Sequence, residues 1–330
     1  MKRIFALMSL VLVLFLWLSA PAEATCGAAQ CFVVTQTGEE IVSEGSIFVD
    51  LSLRFIPQDR KLEGTDTVSE VLVPEIDFED GEIKIDDHRE ERTQNTLAQL
   101  DVGYGLSSRW TFFFSLPFLN ERDHEHFIEV GTPDEEFVLD DGSSGFGDVQ
   151  VGVRTAFLQR LQDLLVGSLA LKAPTGEYKL FNSEGEINEP SIQPGTGSWD
   201  LIASAYYTHA WRPNRVGYFV AGSFRKNTEN DLDYQFGDQT RGDFGVYVRS
   251  GRRVLWTAQI NARHVSRDEF LDVRVPSTGS TFINFTPGVR LESDSRGSLY
   301  FLVPIPVYQD VNEQQLAPKT GIMIGLSKSF

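Results

Sequence analysis

Between residues 45 and 330 the chain carries twelve segments that alternate side-chain character at period 2, and the connections between them alternate strictly between tight and long. The predicted strands are 45–55, 93–106, 109–119, 146–158, 164–173, 198–211, 215–226, 240–250, 253–264, 281–292, 298–308 and 319–330. Every even-numbered gap is short: Ser107-Ser108, "QRLQD", "RPN", Gly251-Arg252 and "SDSRG". Every odd-numbered gap is longer, and the first runs over residues 56–92. A soluble β-sandwich also alternates along its strands, but nothing in it sorts the connections this way. An antiparallel up-and-down barrel in an outer membrane does, because its periplasmic turns are short and its extracellular loops long. The expected fold is therefore an all-β transmembrane barrel of about 12 strands, with both ends of the chain on the periplasmic side.

The alternation also assigns faces. In "SIFVDLSLRF", Ile47, Val49, Leu51, Leu53 and Phe55 form one face and Ser46, Phe48, Asp50, Ser52 and Arg54 the other. "TLAQLDVGYGL" sets Ala98, Leu100, Val102, Tyr104 and Leu106 against Gln99, Asp101, Gly103 and Gly105. Beyond residue 24 no apolar run reaches helix-spanning length, so a membrane would be crossed by strands. The chain ends on "KTGIMIGLSKSF", where Ile322, Ile324 and Leu326 alternate toward Phe330. A barrel must close its last strand on its first, leaving no open edge in lipid. The ending is similar to the C-terminal signal that such barrels present to the barrel-assembly machinery, although Lys328 stands where an aromatic or apolar residue is usual. Trp110, Trp211 and Trp256, with Tyr104, Tyr207 and Tyr218, fall near the periplasmic strand ends, as an interfacial girdle requires.

The first 24 residues read differently. Lys2 and Arg3 precede the apolar run Ile4–Leu18, and Ala22 and Ala24 offer a small-x-small cleavage site. That is the pattern of a secretory signal peptide. Residues 25–44 are expected as a periplasmic segment ahead of the barrel at 45–330. Cys26 and Cys31, the only cysteines, are expected to form a small disulfide ring in an oxidising compartment. A lipid-modified Cys26 is disfavoured by the preceding "EAT", and two thiols alone do not make a metal site.

The net charge of −18 argues against nucleic acid as a partner. It is concentrated: residues 56–92 hold 13 acidic and 5 basic side chains and residues 120–145 hold 9 and 1. Each stretch contains a hairpin pattern, "EIDFEDGEIKID" around Asp80-Gly81 and "HFIEVGTPDEEFVLD" around Thr132-Pro133. The carboxylates suit a solvated outer surface, or divalent cations bridging to lipopolysaccharide. In "DHEH", His124 and His126 are two transition-metal ligand types, but the sequence places no third. Neither a metal nor a cofactor is expected from these patterns.

On the inward face, Asp148, Asp200 and Asp243 fall near the outer ends of descending strands, and Lys172, Arg225 and Arg263 reach similar height on the ascending ones. Neighbouring strands thus read acid, base, acid, base, which predicts a charged belt near the mouth. Arg154 and Arg249 follow their aspartates by six residues, about 20 Å deeper, and with Arg290 they predict a basic inner wall near the base. The competing reading is simply that lumen charges must pair. "ARHVSRDEF" puts His264 and Ser266 at the outer, lipid-facing end of the ninth strand. This is reminiscent of outer-membrane phospholipase A, but Arg267-Asp268 follow the serine here and no orienting third residue is identifiable.

"GFGDVQVGVRTAF", "LALKAPTGEY" and "QPGTGSWDLIASAYYTHAW" resemble the outer-membrane barrel family named for the meta-pathway of phenol degradation. That family's Gly-Asp strand start, Pro-Thr-Gly strand exit and Gln-Pro-Gly-x-Gly-Ser return correspond to Gly147-Asp148, Pro174-Thr175-Gly176 and Gln193–Ser198. The likeness covers about 97–330. It implies an outer-membrane transporter for aromatic or other small hydrophobic solutes, with membrane lipid and lipopolysaccharide as surroundings. With no ATPase motif or plug domain in the sequence, the expected function is diffusive passage of small solutes. A non-conducting structural or adhesin-like barrel is the alternative, and a lipid hydrolase using His264 and Ser266 a further one.

Overall fold

Burial along the first strand alternates residue by residue: Phe48, Asp50, Ser52 and Arg54 are buried while Ile47 and Phe55 are exposed. Charge lies inside and hydrocarbon outside, the inverse of a water-soluble protein and the pattern of a barrel in lipid. The structure is a computed structural model that describes residues 41–133, 135–139, 141–183, 185–293 and 297–330. Residues 1–24, expected to be a signal peptide, and Cys26 and Cys31 lie outside the described residues.

Twelve strands form the wall: β1 (Ile47–Glu63), β2 (Glu82–Gly105), β3 (Trp110–Ile128), β4 (Gln150–Gln159), β5 (Asp163–Lys172), β6 (Asp200–Arg212), β7 (Val216–Lys226), β8 (Gln239–Ser250), β9 (Val254–Val265), β10 (Ser280–Glu292), β11 (Gly297–Leu302 and Ile305–Val311) and β12 (Gln314–Pro318 and Ile322–Ser329). Each pairs antiparallel with the next. β12 closes on β1 in unbroken register from Phe55↔Ile322 to Phe48↔Ser329. The Phe330 and Ile47 backbones exchange two further hydrogen bonds, of 2.8 and 3.2 Å. Lys328, the departure from the usual terminal pattern, sets its ammonium 4.9 Å from the centre of the Phe330 ring. Trp110, Trp211 and Trp256 are all about half exposed on the outer face.

The structure departs from the expected boundaries in three places. β1, β2 and β3 run well past the predicted ends, so that much of 56–92 and 120–128 is paired strand rather than loop. Above the membrane both faces of a strand are polar, and the alternation that reveals strands vanishes there. Both expected hairpins form, through Asp77↔Glu82 and Phe127↔Phe137. The first does not project freely: Phe78 at its tip packs 5.4 Å from Phe270, in a small sheet of Tyr234–Gln235, Glu269–Phe270 and Val273–Arg274. Finally, β11 and β12 are each interrupted. Proline has no amide hydrogen to give a ladder, and Pro304, Pro306 and Pro318 stand at these breaks. The Gly321 amide bonds the Pro304 carbonyl at 3.0 Å. Beyond that bond, no ladder joins Ile305–Val311 to Gln314–Pro318 among the described residues.

Candidate functional site: the lumen and its loop clasp

The inward charges form a clasp at the mouth. Lys172, at the end of β5, is fully buried and places Nζ 2.7 Å from Asp148 and 3.0 Å from Asp200. It also donates to the Ser198 carbonyl at 3.0 Å and to Thr196 Oγ1. Asp148 accepts from the amides of Gly176 and Thr196, each at 3.0 Å. The segments around Gly147-Asp148 and Gln193–Ser198 therefore meet at one ammonium group, and Gly176 joins them through Asp148. Gly176 and Gly195 touch backbone to backbone: a Cβ on Gly195 would lie 2.5 Å from the Gly176 carbonyl oxygen. Only glycine permits that approach. The clasp turns the segment 173–199 back across the mouth, where the Pro194 carbonyl accepts from Asn120 Nδ2 at 2.7 Å.

On the opposite wall the belt residues are arranged differently. Asp243 pairs with Arg241 at 3.3 Å and accepts from Asn261 at 2.7 Å. Arg263 faces the Gln239 amide, whose oxygen accepts at 2.6 and 3.0 Å. Asp148, Lys172 and Asp200 thus come together, whereas Asp243 takes a same-strand partner rather than Arg225 or Arg263. Sequence reading passed over Arg241, although it shares the inward register of Asp243. It passed over Arg122 as well, which was hidden by assignment to a loop.

Below and behind the clasped segment is a cavity of about 510 Å³. Arg54, Arg122, Arg225, Arg241 and Arg263 line it together with Glu90, Asp148, Glu189 and Asp268. Its roof includes Glu189–Thr196 and Val275–Ser280, and Gln315, Leu316 and Pro318 border it beside the interrupted ladder.

Toward the base, aromatic rings pack inside the barrel. Phe113, Phe219 and Tyr300 are buried inside, each over a glycine of the next strand: Gly152, Gly245 and Gly325 respectively. Ring over cross-strand glycine fills the pleat of a curved sheet. Arg154 is buried with its guanidinium 4.1 Å above the Phe113 ring, and Arg290 lies 5.5 Å from that of Tyr300. Arg249 pairs through its fork with Glu292, one bond being 2.9 Å. Arg249 and Arg290 face Leu255 from its two sides, while Arg154 stands on β4. From below, Val42 is fully buried against Phe48 and its amide donates to Thr111 Oγ1 at 2.9 Å. The last residues before β1 therefore turn into the barrel base. Gly325→Ala is expected to push the Tyr300 ring aside and break its 2.9 Å bond to Asp50, lowering stability by about 1–3 kcal/mol. A urea unfolding midpoint measured beside wild type checks this.

The two residues weighed for hydrolysis do not engage each other. His264 Nδ1 meets Thr281 Oγ1 at 2.9 Å, and Ser266 donates to the Asp238 carbonyl at 3.5 Å.

A closed wall with an apolar exterior and a charged lumen defines the class, a transmembrane β-barrel of the outer membrane. Within that class, the chain belongs to the family described as the MetA-pathway of phenol degradation, whose profile matches residues 80–288. Its structure is similar to that of an outer membrane channel from Pseudomonas putida F1, with 12% identity and a TM-score of 0.63 over 90% of this chain and 100% of that one. The Pseudomonas putida toluene transporter TodX aligns with 10% identity and a TM-score of 0.42, over 94% of this chain and 96% of that one. Sequence comparison finds no match among the curated proteins.

Proposed function

We propose that this protein passes small solutes across the outer membrane by diffusion, and that it favours aromatic compounds carrying a hydroxyl or carboxylate. The observation that carries this reading is the arginine-lined cavity of about 510 Å³ inside the barrel, roofed by a clasped loop. Guanidinium forks and their faces suit an anionic or hydroxylated ring, through hydrogen bonds and stacking. The family's description points to phenolic compounds, the same chemical class. The rings packed toward the base would make passage a gated event. The wall beside Ile305–Val311 and Gln314–Pro318, which lacks a ladder, gives the cavity a second boundary, where the Gln309 side chain donates to the Pro318 carbonyl at 2.7 Å. No catalytic role is assigned to His264 or Ser266. Membrane lipid surrounds the wall, lipopolysaccharide meets the acidic outer loops, and the assembly machinery reads the strand ending at Phe330.

Uptake into proteoliposomes tests the proposal. Benzoate or phenol should enter faster than a neutral sugar of equal size, and equal rates for all would oppose it. Charge selectivity gives a sharper check. Arg225→Ala combined with Arg263→Ala should shift the reversal potential across a salt gradient toward cations. Arg249→Ala combined with Glu292→Gln should leave it unchanged, because that ion pair carries no net charge.

A further inference from the structure

Four metal-ligating side chains converge at the upper lumen, on the wall of the cavity. They are Glu90 on β2, His124 and His126 on β3, and Glu189 on the clasped segment, and one ligand atom from each lies within 4.8 Å of all the others. Glu90, His124 and His126 are less than a tenth exposed.

The imidazoles are oriented as metal ligands are. His124 Nδ1 is held by Thr93 Oγ1 at 2.9 Å, and His126 Nε2 by Asp141 at 3.0 Å. Their other ring nitrogens, His124 Nε2 and His126 Nδ1, have no hydrogen-bond partner although both are buried. Leaving two buried ring nitrogens unsatisfied is costly unless something occupies the point they face. A ligand imidazole fixed through its second nitrogen by a carboxylate or hydroxyl is the usual outer shell of a bound metal. Asp141 is itself anchored, accepting from the Ser183 amide at 2.6 Å. His88 Nδ1 plays the same part toward Glu189, at 3.0 Å.

Charge points the same way. Glu90 and Glu189 are two carboxylates close together, and among the described residues neither forms an ion pair with a lysine or arginine. A pair of ligating carboxylates carries two negative charges, which a divalent cation cancels. Two nitrogens and two carboxylate oxygens suit zinc and its neighbours rather than calcium or magnesium, which take oxygen alone. Bringing the four atoms to about 2.0–2.1 Å from one ion requires a contraction of about 1 Å.

We propose that Glu90, His124, His126 and Glu189 bind one zinc-class divalent transition-metal ion, with Asp141, Thr93 and His88 orienting the ligands. Because Glu189 is carried by the segment 173–199, the ion ties that segment to the barrel wall. The site stands whether or not the barrel conducts.

The test is calorimetric titration of the full-length mature protein, folded in detergent and stripped with chelator, using zinc chloride alone. One saturable equivalent is expected, and Co²⁺ in its place should give the intense visible bands of a tetrahedral site. Glu189→Gln changes a loop residue outside the wall and should abolish that equivalent, as should His124→Asn. Asp141→Asn should weaken it by about 10–100-fold. Heat-modifiable gel migration confirms that each variant barrel is folded. A wild-type protein with no saturable equivalent overturns the proposal, and so does zinc affinity unchanged in Glu189→Gln, which would assign binding to the acidic outer loops.

Discussion

Lys172→Ala is expected to lower the unfolding free energy by about 3–5 kcal/mol, because it removes the ammonium that pairs two buried carboxylates. Lys172 is fully buried between Asp148 and Asp200, and the same ammonium holds the Ser198 carbonyl. Its loss should therefore do more than destabilise. The segment 173–199 should leave the mouth, become sensitive to protease in intact vesicles, and enlarge the path into the cavity. A second variant separates charge from shape. Lys172→Met combined with Asp148→Asn and Asp200→Asn removes the ion triad as a unit, and should recover most of the lost stability, since the penalty lies in the orphaned charges. Urea unfolding in lipid vesicles reads the first effect and the protease pattern the second. Equal stability of Lys172→Ala and wild type would mean that the triad is solvated.

Tyr300→Ala should have a comparable effect at the other end of the lumen. The ring is buried over Gly325, its hydroxyl donates to Asp50 at 2.9 Å, and the Arg290 guanidinium rests beside it. Truncating a buried aromatic side chain costs about 3–5 kcal/mol. The cavity left behind is lined by charged groups, so water should fill it and the base should become the leakier end. The expected result is a lower unfolding midpoint, and a larger conductance once the loop at the mouth is also replaced. A conductance no larger than that of the loop replacement alone would mean that the base does not restrict flow.

The two ends of the lumen were not equally legible in the sequence. Strand number, closure and facing came directly from the period-2 alternation, because lipid on one side and water or charge on the other forces that pattern. The inward position of Asp148, Lys172 and Asp200 followed from the same rule. The clasp they form did not, because Gly176 and Thr196 reach it through irregular backbone that no periodicity encodes. The family motifs marked those residues without saying what held them together. Strand extensions such as Gln58–Glu63 and Asn120–Ile128 were hidden because both faces are polar above the membrane. His124 and His126 were visible as a pair. Their companions were not: Glu90 sits on a strand extension read as loop, and Glu189 on a segment whose path depends on the clasp. The partner of Arg249 was not legible either, because Glu292 reaches it from β10, on the far side of β9.

The most direct measurement is single-channel conductance in a planar bilayer, comparing the refolded protein with a variant in which residues 180–190 are replaced by a short Gly-Ser linker. That replacement spares Lys172, Asp148, Gly176, Thr196 and Asp200, so the barrel and its clasp remain. A loop-restricted channel predicts small, infrequent openings in wild type and a several-fold larger conductance in the variant, with anions favoured in both. Silence from both proteins, each shown to be folded and inserted, would contradict the channel account and leave a barrel that does not conduct.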